Sequence, residues 1–369
     1  MPSRWHQLFA RVSSEQAGSP GLIVLRGAAR VASMFYGVGA ALYHTPYDVG
    51  LRKVRRLDAP VIGVGNLVAG GAGKTPLVMA IAAALVEMGR APVVISRGYG
   101  GSCKAPVTWV HDGREPLADA QAVGDEPVMV ARELGLPVAV GADRWQVGRE
   151  VLAKLGRRVL VADDLFQHRG LWRDLNLLAL DAARPFGNGV VLPRGPLREP
   201  ARALRRAQAV VLTRAEDPSA VEATRRWLAR FLGPMPVLAC RHRVTGIVDH
   251  QGRWRPAGEL AGRKVAAFCG LARPESFEAS LAGLGLEVVE ARRFNDHHAF
   301  SAEEVRQAWQ RASAAGAEAL VCSQKDAVRL PAEGLDAAPI WVTRLELRFE
   351  HHGAELKSLL KQALADWPV

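Results

Sequence analysis

Residues 63–76 read GVGNLVAGGAGKTP, a glycine-rich run that closes on Gly73-Lys74-Thr75. Glycines followed by a lysine and a hydroxyl side chain are what a phosphate-binding loop needs. Backbone N–H groups and a helix N-terminus converge on the anion there, and glycine lets the backbone approach it closely. Gly70, Gly71, Ala72 and Gly73 would form the cradle, Lys74 would reach the β- and γ-phosphates, and Thr75 would ligate Mg2+. The usual spacing, G-x-x-x-x-G-K-[ST], puts a first glycine at position 68, where this chain has Val68. That position sets the turn off the preceding strand, and Gly70-Gly71 can supply the flexibility instead.

A nucleotide site of this kind needs an acidic partner for the metal at the end of another strand. RVLVADDLFQH supplies Asp163 and Asp164 after an apolar run. Mg2+ takes hard oxygen ligands, and two adjacent carboxylates after a buried strand are costly unless neutralised. Phosphoryl transfer also needs positive charge around the moving group and something to prepare the acceptor oxygen. Candidates stand in glycine- or proline-marked loops: Arg97 in SRGYGG, Asp125 and Glu126 in GDEP, Arg144 in GADRW, Arg198 in LPRGPLREP, and Asp296-His297-His298 in FNDHHAF. An aspartate paired with a histidine makes a general base, because the carboxylate orients the imidazole and raises its basicity. By itself, DHH equally suits a metal site.

Elements that position these residues follow from the pattern. PVIGVGN (60–66) reads as a buried strand, and TPLVMAIAAALVEMG (75–89) as the helix after the loop. PVVIS (92–96), PVAV (137–140), RVLVADD (158–164), NLLALD (176–181) and AVVLT (209–213) are further strands. Such alternation predicts an α/β fold with a parallel sheet flanked by helices. After Phe231 a Pro/Gly-rich break precedes a second α/β set: KVAAFCG, LEVVEARRF and EALVCS as strands, with helices between. Ser301 with Glu304 three residues on is a capping-box signature. The domain border is placed near Pro234.

The chain has 369 residues, room for two ordinary domains, and a formal charge of +11. That balance points to an acidic partner: nucleic acid, an anionic membrane surface or a phosphorylated substrate. Cys103, Cys240, Cys269 and Cys322 are dispersed with no C-x-x-C, which argues against a cysteine metal cluster or disulfide framework and suits a reducing compartment. Near the N-terminus, GLIVLRGAARVASMFYGVGAALY carries Arg26 and Arg30 four apart, followed by the basic LRKVRR (51–56). An apolar helix with an arginine stripe reads as lying in a membrane interface.

From about Tyr43 to Leu330 the chain resembles the tetraacyldisaccharide 4′-kinases, the lipid A kinases of Gram-negative bacteria. GNLVAGGAGKTP, SRGYGG, GDEP, DDLFQH, LPRGPLREP, GLARPESF, FNDHHAF and SQKDAVRL carry the resemblance, in that order. That family's own loop lacks a glycine where Val68 stands. The resemblance implies transfer of the γ-phosphate of ATP, with Mg2+, to the 4′-hydroxyl of tetraacyldisaccharide 1-phosphate, giving lipid IVA. It implies that Lys74 and Thr75 hold nucleotide and metal, and that Asp163 and Asp164 form the metal-side pair. Asp125 matches the catalytic aspartate and His297 the histidine that pairs with it. Arg198 and Arg144 match basic residues near the phosphates or substrate. It further implies an N-terminal membrane-associated segment (1–45), a P-loop domain (46–234) and a smaller α/β domain (235–369) whose C-terminal end can pack back on the first. The active site would lie in the cleft between the domains, on the cytoplasmic face of the inner membrane. Two departures stand out: Leu165 replaces a glycine in D-D-G-F-Q-H, and Gln324 replaces a glutamate in T-E-K-D-A.

Two other classes compete. A regulatory P-loop NTPase would hydrolyse nucleotide without a lipid acceptor; it often has a lysine ahead of the glycine pair, where this chain has Ala69, and no N-K-x-D is present. A non-enzymatic lipid-binding protein would have no use for Asp125 or the Asp163-Asp164 pair. No aromatic-basic platform for nucleic acid is found, and no obligate protein partner is evident.

Overall fold

The computed structural model describes residues 4–14, 19–271, 274–296, 298–331 and 338–367. Two helices come first, α1 (Arg4–Ser13) and α2 (Pro20–Asp48). Pro20 sits in the first turn of α2, where a missing N–H loses no hydrogen bond, and the helix runs on through Pro46.

By contacts the chain divides into two units, a larger one of Gln7–Arg241 and Leu347–Val369 and a smaller one built on His242–Glu346. In the larger unit follow β1 (Val61–Asn66), α3 (Lys74–Glu87), β2 (Pro92–Ser96), β3 (Thr108–His111), α4 (Ala120–Val123), α5 (Asp125–Leu134) and β4 (Val138–Val140). Next come α6 (Arg144–Leu155), β5 (Val159–Ala162), β6 (Leu175–Asp181), β7 (Ala209–Thr213), α7 (Pro218–Leu232) and β8 (Val237–Val248). The strands lie in the order β8-β7-β6-β1-β5-β2-β4-β3. All pair in parallel except β3, which is antiparallel to β4.

Every residue of β1, β5, β6 and β7 is buried, as expected of parallel strands covered on both faces. Leu77, Ile81 and Leu85 of α3 are fully buried, and each such side chain stabilises the fold by roughly 1.5–3 kcal/mol. A parallel sheet gathers its carboxyl ends on one edge. Asn66, the Asp163-Asp164 pair, Asp181 and Thr213 therefore stand at or just beyond the ends of four adjacent strands, where α/β folds bind ligands.

The division between units falls inside β8 rather than at the Pro234 break, which is the short turn between α7 and β8. In the smaller unit the elements are β9 (Trp254–Pro256), β10 (Lys264–Cys269), α8 (Pro274–Gly283), β11 (Glu287–Arg293), α9 (Ala302–Ala314), β12 (Ala319–Cys322), α10 (Gln324–Ala327) and β13 (Ile340–Phe349). Its parallel order is β11-β10-β12-β13, with β9 antiparallel to the end of β8. The Ser301–Glu304 capping box is formed at the start of α9. Beyond residue 346 the chain re-enters the larger unit and ends in α11 (Ala354–Ala363).

Candidate active site

Between β1 and α3 the backbone makes the loop foreseen from the glycines. Gly73 is the N-cap of α3 with φ 75°, a left-handed conformation that glycine adopts without strain. Val68 has a structural reason: it forms an antiparallel bridge with Leu197, Ala69 N–H donates to Pro196 C=O at 2.7 Å, and Arg198 N–H donates to Leu67 C=O at 2.7 Å. The chain leaves β1 extended, so a β-branched residue suits position 68 better than a turn-forming glycine. Asn66 orders the loop from within. Its amide donates to Val68 C=O at 2.6 Å and Gly70 C=O at 3.3 Å, and its Oδ1 accepts from Lys74 Nζ at 3.3 Å. Arg214, at the end of β7, donates to Gly71 C=O and pairs with Asp181, both at 2.8 Å.

Charges converge at the end of β5. Asp164 pairs with Lys74 at 3.5 Å, and one nitrogen of Arg198 lies 3.0 Å from both its carboxylate oxygens. Burial acts to raise the Asp164 pKa, but Lys74 and Arg198 outweigh it and hold the carboxyl below the ordinary range. Its neighbour Asp163 goes the other way. Burial first, then the charge of Glu126, pushes Asp163 up despite Lys74. A buried carboxylate crowded by acids is one that a bound cation would relieve. Thr75 is buried in the first turn of α3.

The structure corrects two placements. Arg144 and Asp125 are not loop residues. Arg144 is the first residue of α6, after Asp143, whose side chain caps Trp145 N–H. It is 5% exposed, donates to Ala142 C=O at 2.7 Å, and its Nε has no partner among the described residues. Burial lowers the Arg144 pKa, Arg97 adds to that, and the charges of Asp164 and Asp163 oppose it. Asp125 is the first residue of α5, and Pro127 falls in the first turn, where proline is tolerated. Gly124 before it has φ 87°, and a Cβ there would collide with Tyr99 C=O, so the GDEP and SRGYGG segments touch backbone to backbone. Arg97 is exposed.

Neither sequence departure removes a polar group from this cluster. Leu165 is fully buried, and its side chain fills the space beside Gly63 of β1. Gln324, in the smaller unit, accepts Leu345 N–H at 3.0 Å. In that unit Asp296 pairs with Lys325 at 3.0 Å, and His298 meets Glu304 at 3.0 Å. Buried Asp326 accepts from Gly270 N–H at 2.9 Å and Ser323 Oγ at 2.6 Å, fixing the turn after β10. His297 lies outside the described residues.

Sequence reasoning missed the polar partners of two buried residues, Asn66 and Glu199. Gln167 donates to Asn66 C=O at 2.9 Å. Glu199, 2% exposed, meets His44 at 3.1 Å and Arg206 at 2.7 Å. Asn66, Gln167 and Glu199 stand inside quoted motifs, so the signal was present; their partners are remote in sequence.

The family described as tetraacyldisaccharide-1-P 4′-kinase matches residues 26–365. A tetraacyldisaccharide 4′-kinase of Anaeromyxobacter sp. (strain Fw109-5) is 43% identical over 352 residues, covering 94% of each chain. The protein of that name from Syntrophus aciditrophicus (strain SB) is 41% identical over 338 residues, covering 87% of this chain and 90% of its own. Among solved structures, LpxK from Aquifex aeolicus, crystallised in complex with ATP, superposes with a TM-score of 0.74 at 29% identity, covering 92% of this chain and 99% of its own. With the phosphate loop, the acidic pair and the strand order in place, these similarities establish that the chain belongs to the tetraacyldisaccharide-1-P 4′-kinase family.

Proposed function

We propose that the protein transfers the γ-phosphate of ATP to the 4′-hydroxyl of tetraacyldisaccharide 1-phosphate, giving lipid IVA. The observation that carries this reading is the cluster at the phosphate loop, where Lys74 and Arg198 both meet Asp164 beside Asp163 and Thr75. Phosphoryl transfer is mostly positioning and charge stabilisation. As the 4′-oxygen bonds to the γ-phosphorus, the bond to the β–γ bridging oxygen breaks and negative charge grows on that oxygen. Lys74 and Arg198 are the cations we assign to that charge, and the partnerless Nε of Arg144 is a donor available to a phosphate or substrate oxygen.

The residues fit Mg2+. Among those described, no group of three or more His, Cys, Asp or Glu side chains is gathered to hold a metal alone. Mg2+ needs only one or two carboxylates, and completes its shell with water and substrate phosphate. Thr75, Asp163 and Asp164 would hold it. When bound it would supply positive charge against the β- and γ-phosphate oxygens. For the acceptor proton we assign Asp125 with His297 as the base; Asp125 is the first residue of α5, directly after its N-cap Gly124.

We place the protein at the cytoplasmic face of the inner membrane through α2. The support is an inverted helix: Val24 (72%), Phe35 (75%) and Leu42 (70%) are exposed, while Ser33 and His44 are buried. The helix is also long and apolar enough to cross a bilayer. An apolar outer face of this size needs a non-aqueous neighbour. Acceptor dependence tests the function. ADP release in detergent should rise severalfold when tetraacyldisaccharide 1-phosphate is added, whereas release that is equal with and without the lipid rejects the reading.

A further inference from the structure

Three polar side chains of α2, the buried Ser33 and His44 and the part-exposed Tyr36, meet one segment, the loop that carries Arg198. Ser33 Oγ accepts Arg194 N–H at 3.0 Å and lies 2.8 Å from Val191 C=O. Tyr36 donates its hydroxyl to the carbonyl of Arg198 itself, at 3.0 Å. His44 meets Glu199, the next residue, at 3.1 Å. Across the segment, Arg198 N–H is held by Leu67 C=O and its guanidinium by Asp164. Arg198 is thus gripped between the phosphate loop and the membrane-facing helix, with its carbonyl and its neighbour's carboxylate both answered by α2.

A long arginine side chain stabilises a developing phosphate charge only if its backbone is fixed, because catalytic donors act through pre-organisation. Loss of the Tyr36 hydrogen bond frees the Arg198 peptide on one side. Loss of the His44 partner leaves one oxygen of a buried carboxylate unanswered, and the loop must move to hydrate it.

We propose that Tyr36 and His44 are positioning residues for Arg198, so that the seating of α2 sets the geometry of phosphoryl transfer. This rests on the kinase reading above. The experiment measures transfer kinetics in the full chain for Tyr36→Phe, His44→Leu and His44→Gln, each alone and with Arg198→Ala. Tyr36→Phe keeps the ring and its packing, so it stays informative even if His44→Leu fails to fold. The two disruptive variants should lower kcat about tenfold, or ~1.4 kcal/mol of transition-state stabilisation. KM for MgATP should stay within about twofold, the pattern of an interaction made mainly in the transition state. His44→Gln, which keeps a donor for Glu199, should recover most of the rate. In the Arg198→Ala background neither substitution should add a further loss. Losses that multiply in that background, or a Tyr36→Phe rate equal to wild type, overturn the proposal. A wild-type chain that transfers nothing to the lipid sinks the kinase reading instead.

Discussion

At the scale of single residues, two carboxylates one position apart have opposite environments. Asp164 faces Lys74 and Arg198 and stays ionised, whereas Asp163 is buried beside acids and gains proton affinity. Such divergence supports the Mg2+ site proposed above. The proposed base is tested separately. Asp125→Ala and His297→Ala should each lower kcat, and the double variant should lose little more than the worse single one if they act as a unit; additive losses in the same assay argue against a pair. A third residue reports on the scaffold. His168 has its pKa depressed to about 4 by burial, with Arg144 next, and its Nε2 has no partner among the described residues. Between that value and the ordinary 6.5, the unfolded chain binds a proton that the folded chain excludes. Its contribution is whole above about pH 6.5 and declines as pH falls toward 4. Denaturant melts of His168→Gln should show a shallower acid slope over that window; identical slopes contradict the assignment.

At the scale of elements, the parallel strands were legible because buried apolar runs between glycines and prolines admit few other readings. The edge strand β3 was not, being four residues long and only partly buried. Asp125 and Arg144 were placed in loops because Gly-Asp-Glu-Pro and Gly-Ala-Asp read as turns. The same residues also begin helices, with proline in the first turn or aspartate as cap. Lys74, Asp164 and Arg198, singled out by type and spacing, meet in the structure, and their chemical roles are those proposed above. The grip of α2 on the Arg198 loop was not legible, since Tyr36, His44 and their partners meet only through the tertiary fold. The outer face of α2 yields its own expectation. Phe35→Asp places a charge at an exposed apolar position of α2 that carries none of its polar contacts to the Arg198 loop. It should sharply reduce co-sedimentation with anionic vesicles while leaving the melting temperature within a few degrees. Unchanged co-sedimentation removes α2 from the membrane contact.

At the scale of the whole molecule, three demands of the proposed reaction meet in one chain. The net charge of +11 suits an anionic, phosphorylated lipid and an acidic bilayer surface. The apolar face of α2 suits a substrate that resides in a membrane, and the phosphate loop suits a soluble nucleotide. A switch NTPase shares the loop but has no need of an acceptor, so acceptor chemistry separates the two most directly. The decisive measurement supplies γ-labelled ATP, Mg2+ and tetraacyldisaccharide 1-phosphate to the purified protein in mild detergent, with Lys74→Ala and a no-lipid control alongside. Label should appear in a bis-phosphorylated lipid, attached at the 4′-oxygen, with transfer falling about a hundredfold or more in Lys74→Ala. Label released only as free phosphate, equally with and without lipid, would contradict the proposed transfer.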